Sequence, residues 1–205
     1  MSTPTYRTRP IPQGVIGCIA LPLGLFGLVA VLLMHSDGND VGAVFLLLLL
    51  AAGAVLLSRA KMREAAEQQH IRTMQSTEIA RYHAMDPRQF EHAIAFLCQR
   101  DGCHGVQVVG GAGDLGADVI ATAPDGRRIV IQCKRYGPTT KVGSPDMQRF
   151  GGTCYTVHGA HVAAVVTTSV FTKPAADYGI RQGIRLVDNG ALAEWATRTG
   201  PAPWM

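Results

Sequence analysis

The sequence predicts an α/β sandwich with a mixed sheet, preceded by a hairpin of two membrane-spanning helices. Three observations carry this. Two runs, 14–34 and 41–57, contain no charged residue. Further on, a helical pattern gives way to three strand-like segments, then to alternating helix and strand, the order of an α/β sandwich. Turn and capping signals punctuate that order at Met85-Asp86-Pro87, Pro124-Asp125-Gly126 and Ser144-Pro145-Asp146.

At 1.5 Å per residue the two apolar runs span about 31 Å and about 26 Å, close to the ~30 Å hydrocarbon core of a bilayer. Core helices rarely run so far without a charge. A secretory signal has an apolar region of only ~7–15 residues, and here a second run follows the first. Arg7 and Arg9 precede the first run, and Arg59, Lys61 and Arg63 follow the second. The connector 35–40 holds Asp37 and Asp40 and no Lys or Arg. Positive flanks stay on the cytoplasmic side. The expectation is a multi-pass plasma-membrane protein, in the bilayer through residues 14–57, with both termini and the downstream domain cytoplasmic. Residues 1–63 form the anchor, 64–84 a polar helical stalk and 85–205 the folded domain.

The net charge of +4 is uneven. Residues 1–63 hold five Lys/Arg against two Asp/Glu, and residues 64–205 hold fourteen against thirteen. The basic character thus belongs mostly to the membrane flanks and is not in itself a nucleic-acid signal. Five cysteines are present: Cys18, Cys98, Cys103, Cys133 and Cys154. In a cytoplasmic domain they stay reduced. Cys98 and Cys103 lie near His92 and His104, but no Cys-x-x-Cys pair supports zinc, and Cys98 falls on an apolar helix stripe.

Asp86 as N-cap and Pro87 at the first position open a helix over 88–100. Its apolar face is Phe90, Ala93, Ile94, Leu97 and Cys98. A strand at 106–109, a Gly-rich turn at 110–116 and a strand at 117–123 follow. After the 124–126 turn comes a strand at 127–135, then a polar loop to 143. A helix is expected from 144 to about 158, a strand at 161–168, a helix at 173–182 closed by Gly183, a strand at 184–188 and a helix at 191–198. Residues 111–116 satisfy G-x-G-x-x-G, but a strand rather than a helix follows, and 129–137 lack the acidic residue a dinucleotide site needs. His158 and His161 have no nucleophile beside them and read as surface histidines.

The chemistry concentrates at Ile129-Val130-Ile131-Gln132-Cys133-Lys134-Arg135. A three-residue hairpin loop at 124–126 sets Asp118 directly opposite Gln132, on one face with Lys134. Ile129, Ile131 and Cys133 then point into the core. A carboxylate, an amide and an ammonium so grouped suit phosphodiester hydrolysis. Mg²⁺ or Mn²⁺ would find oxygen ligands in Asp118 and in the Gln132 side chain or the Cys133 backbone carbonyl. Lys134 would orient water or stabilise negative charge. The same residues would also serve a surface strand merely facing solvent. Asp114 reads as a capping residue of the Gly-rich turn.

Residues from about Asp86 to Trp195 resemble the Mrr-type restriction endonuclease family, a branch of the PD-(D/E)xK nuclease superfamily. The matching pieces are Phe90-Glu91, 113–120 (GDLGADVI), 130–136 (VIQCKRY), 165–168 (VVTT) with Phe171-Thr172, and 183–188 (GIRLVD). The resemblance implies a restriction-endonuclease-like sheet flanked by helices, Asp118 as metal-binding acid, and Gln132-x-Lys134 as this branch's (D/E)xK element. It also implies Glu91 as a further catalytic acid completing the metal site. Gln in place of Glu removes a charge and weakens metal binding in principle. Arg135, Lys141 and Arg149 are then candidates for DNA phosphates, and two cuts in a duplex imply a homodimer on double-stranded DNA. The expected function is a membrane-anchored, Mg²⁺-dependent endonuclease in restriction of foreign or modified DNA. The alternative is a non-catalytic, membrane-tethered DNA-binding or scaffold protein that retains the fold.

Overall fold

The structure, a computed structural model, describes residues 41–205 apart from residue 112. The chain divides into two compact units, Met1–Gln69 and His70–Met205. The expected span 14–34 and its connector lie outside the described residues. The second span falls in helix α1 (Val41–Ala84), which continues without a break through the stalk segment. Its sequence is rich in Leu, Ala, Glu, Gln and Arg and holds no proline, so nothing interrupts it. Among the described residues this is the one helix long and apolar enough to cross a membrane. Its most apolar stretch has a mean hydropathy of 2.0, and none of that stretch is buried.

The second unit is built on a mixed five-stranded sheet in the order β1-β2-β3-β4-β5. The strands are β1 (His104–Val108), β2 (Val119–Thr122), β3 (Arg128–Lys134), β4 (Val162–Thr167) and β5 (Arg185–Val187). The first three pair antiparallel, and β3, β4 and β5 pair parallel. Helix α2 (Pro87–Arg100) precedes β1, α3 (Ser144–Gly151) links β3 to β4, α4 (Lys173–Arg181) links β4 to β5, and α5 (Asn189–Thr197) follows. Asp86 caps α2 as expected: its carboxylate accepts from the Gln89 N–H, and the Gln89 side chain accepts from the Asp86 N–H.

Two cores form, one on each face of the sheet. On one, Phe90, Ile94 and Leu97 of α2 and Leu192 and Trp195 of α5 cover Val119, Ile129, Ile131, Ala164 and Val166. On the other, Met147 and Phe150 of α3 and Ala175 of α4 cover Val130, Ala163 and Val165. This corrects the expectation that β3 has a single core face. Val130 is fully buried too, and Gln132 is only 6% exposed. A parallel crossover needs a helix, and the crossover helices α3 and α4 close the second face. A second correction concerns α3, which ends at Gly151 rather than near His158; turns follow to His158. The Gly151-Gly152 pair is a poor helix former. A Cβ at Gly151 would also stand 2.6 Å from the Tyr178 hydroxyl of α4.

Phe90 is fully buried and meets Tyr82 edge to face at 5.8 Å, so it seats the helix that carries Glu91. Phe90→Ala is expected to cost about 3–5 kcal/mol in urea unfolding of the full chain. A loss under about 1 kcal/mol would show that α2 is not held by this contact.

Candidate active site

The site lies where the β1–β2 loop meets the C-terminal end of β3. The loop is tied by Asp114, whose two carboxylate oxygens accept from the N–H groups of Gly111 (2.9 Å) and Gly116 (2.8 Å). This is the capping role read from the sequence. Gly116 has φ +89°, a conformation that favours glycine. A Cβ there would also come 3.0 Å from Nε2 of Gln132. The loop thus packs its backbone onto the Gln132 amide.

The hairpin has the expected register, with Thr122 paired to Arg128, Ile120 to Val130 and Val119 to Ile131. The last regular pair is Val119–Ile131. At Asp118 the chain leaves the ladder: its N–H donates to the Ile131 carbonyl at 2.9 Å. Ala117 and Val119 would share a face on a regular strand, yet Ala117 joins the α3-side core and Val119 the α2-side core. Asp118 therefore sits at a twist rather than in a flat cross-strand pair with Gln132. Its Oδ2 accepts from the Cys133 N–H at 2.6 Å.

Glu91 of α2 meets Asp118 at Gly110. A Cβ on Gly110 would fall 2.6 Å from Glu91 Oε2 and 3.2 Å from Asp118 Oδ1, so only a bare backbone leaves room for both carboxylates. The Gly110 carbonyl accepts from Arg88 Nη1 at 3.3 Å. Burial pushes Asp118 up to about 6, its hydrogen bond from Cys133 opposes this, Glu91 and Asp114 push it up further, and Lys134 draws it down. Burial also raises Glu91, with the neighbouring Arg88 opposing. Two carboxylates that resist ionising together mark a place that favours an added cation.

Lys134 does not pair with Asp118. Its Nζ lies 3.8 Å from Oδ1 of Asp146, a residue the sequence suggested only as part of a helix start. Asp146 also holds Arg149 at 2.5 Å, the Tyr136 hydroxyl at 3.2 Å and the Gly143 N–H at 3.4 Å. No local spacing rule points to Asp146, because it reaches β3 only through the packing of α3. The backbone after Lys134 is clamped by β4. Thr167 donates to the Lys134 carbonyl at 2.7 Å, and the Thr168 hydroxyl bridges the Tyr136 carbonyl and N–H at 2.8 and 3.0 Å. Of the proposed phosphate contacts, Lys141 is exposed. Arg149 is 72% exposed and paired with Asp146. Arg135 is half-buried, and its Nε has no partner.

The residues fit a hard divalent cation. Glu91 Oε2 and Gln132 Oε1 are buried and have no hydrogen-bond partner, a state that costs about 1–3 kcal/mol each without a ligand. Among the described residues no three His, Cys, Asp or Glu side chains gather. A cation at Asp118 and Glu91 would thus draw on neutral oxygens as well, a donor set suited to Mg²⁺.

Three of the similar solved structures are these. A protein of unknown function, AF1548, is 22% identical, with 50% of this chain and 58% of that one covered and a TM-score of 0.42. The DNA modification-dependent restriction endonuclease AspBHI is 17% identical, with 64% and 36% covered and a TM-score of 0.46. The MspJI restriction endonuclease, solved with a 27-mer oligonucleotide, is 21% identical, with 65% and 32% covered and a TM-score of 0.40. The chain thus spans less than two thirds of each of them. No curated protein matches. Residues 81–196 match the Mrr catalytic-domain family of restriction endonucleases, a stretch that takes in all five strands and α2 to α4. The chain belongs to that family.

Proposed function

We propose that the chain is a membrane-anchored, metal-dependent DNA endonuclease that restricts foreign or modified DNA. The observation that carries this is the meeting of Asp118 and Glu91 beside the backbone of Cys133, with the Lys134 ammonium two residues beyond Gln132. Asp118, Glu91, the Cys133 carbonyl and the Gln132 amide oxygen would hold Mg²⁺ or Mn²⁺. When bound, such a cation neutralises charge at phosphorus and makes its water a stronger acid.

The chain's own residues do the rest. Asp118 is held at its working position by the Cys133 N–H. Lys134 orients the attacking water and stabilises the charge that grows on the phosphate oxygens. Arg135, Lys141 and Arg149 follow β3 and meet backbone phosphates, fixing register rather than reading sequence. A homodimer would bring two such sites to the two strands of duplex DNA. The exposed apolar stretch of α1 and the basic flanks support anchoring in the plasma membrane, nuclease domain inward.

Cleavage of plasmid DNA by the full chain in detergent, with Mg²⁺ or Mn²⁺, tests the reading. Lys134→Ala and Asp118→Ala should each lower the rate at least about a hundredfold, with DNA affinity little changed for the lysine variant. If wild type and Lys134→Ala cut equally, the catalytic role of Lys134 is lost; if neither cuts while both bind DNA, the chain is a DNA-binding scaffold instead.

The pH dependence follows from Asp118. Burial pushes its carboxyl up to about 6 in the folded chain, above the usual 3.8. Between those values the folded state holds a proton that the unfolded state lacks, so this group's contribution to stability falls as pH rises from about 4 to about 6. Above pH 6 the buried charge opposes folding until a cation meets it. Asp118→Asn should therefore stabilise the metal-free chain at pH 8 by up to about 2 kcal/mol. It should also abolish the rise in Tm that Mn²⁺ gives the wild type at pH 8 but not at pH 5. An equal Mn²⁺ shift in both proteins would remove Asp118 from the metal site.

A further inference from the structure

We propose that Asp146 is the positioning residue for Lys134, and that Tyr136 in turn sets Asp146. This rests on the nuclease reading above for its purpose, though the geometry stands without it. Lys134 closes β3 with an ammonium that needs a fixed place to act on a phosphate. Its ion-pair partner among the described residues is Asp146, whose side chain is only 13% exposed.

The two oxygens of Asp146 divide their work. Oδ2 is held from behind by the Tyr136 hydroxyl (3.2 Å) and the Gly143 N–H (3.4 Å). Oδ1 faces Lys134 (3.8 Å) and Arg149 (2.5 Å). The tyrosine is itself locked. The Thr168 hydroxyl grips its backbone at both N–H and carbonyl, and Thr167 grips the Lys134 carbonyl. Helix α3 brings Asp146 to this point because Met147 and Phe150, on the same helix, are fully buried against the sheet. The result is a chain of contacts from β4 through Tyr136 and Asp146 to the lysine, with each member fixed by another.

The carboxylate also has a charge role. Lys134 and Arg149 converge on one oxygen, and the acid between them offsets part of the repulsion of two cations in one space. Arg149 is mostly in solvent, so a DNA phosphate can draw it away while Lys134, largely enclosed, stays with Asp146. The two cations are thereby separated in function: one is free to meet the backbone and one is kept at the scissile group.

The test uses two double-variant cycles on the full chain in detergent. In melting, Asp146→Asn and Lys134→Met should each lower Tm, and the double variant should melt a few degrees above the additive expectation, because both singles break one pair. Additive losses would overturn the pairing and leave Asp146 as a cap of α3 only. In single-turnover cleavage with saturating duplex DNA and Mn²⁺, Asp146→Asn should slow cutting at least about tenfold, with the DNA Kd within about twofold. Tyr136→Phe, which keeps the fold and the carboxylate, should slow it less. In a Lys134→Arg background Asp146→Asn should have little further effect. A full additional loss there would overturn the claim that Asp146 acts through the lysine. If the melting cycle shows coupling and the wild type does not cut, the nuclease reading fails while the Asp146–Lys134 pairing holds.

Discussion

The hydrogen bond from the Cys133 N–H to Asp118, at 2.6 Å, is the contact on which the site depends. It joins the start of β2 to the end of β3 where the regular ladder stops. On one side of it lie Glu91 and the bare backbone of Gly110, on the other Gln132 and Lys134. Were Asp118 to stay in a flat ladder, it would have no reason to approach the α2-side carboxylate. The twist at Asp118 brings its carboxylate to Glu91 of α2 at Gly110, and the fully buried Phe90 holds α2 there.

The electrostatics of this end of the sheet are split. Asp118 and Glu91 form an acidic side, and burial raises both carboxyls. Lys134 and Arg149 form a basic side, with Asp146 set between them. Such a division suits a reaction at a phosphodiester. On the proposed reading the acidic side would hold a divalent cation, and the basic side would meet the phosphate. Neither side alone would distinguish this from an ordinary charged surface. The unpaired buried oxygens of Glu91 and Gln132 support the proposed reading, because a folded protein seldom leaves acceptors so placed.

Much of this was legible in the residues. The order of elements, the capped start of α2 and the hairpin register all rest on local rules, and Asp86, Pro124-Asp125-Gly126 and the apolar stripe of α2 obey them. The Asp114 cap was legible for the same reason. What local rules could not give was anything set by packing between distant elements. The second core face of β3 depends on α3 and α4 folding back over it. The twist at Asp118 depends on the positive φ at Gly116 and the pull of the Cys133 N–H. The Lys134–Asp146 pair joins a strand to a helix across a loop whose path the sequence does not dictate. Glu91 entered through family resemblance, because its distance from Asp118 along the chain hides their meeting at Gly110.

The central claim is that the buried oxygens around Asp118 form a binding site for a divalent cation. Crystals of the chain soaked in Mn²⁺, with anomalous scattering recorded at the manganese edge, test it directly. The account predicts a peak in contact with carboxylate oxygens of Asp118 and Glu91 and with the Cys133 carbonyl. A well-ordered site with no peak there, and Glu91 Oε2 bonded only to water, would contradict it.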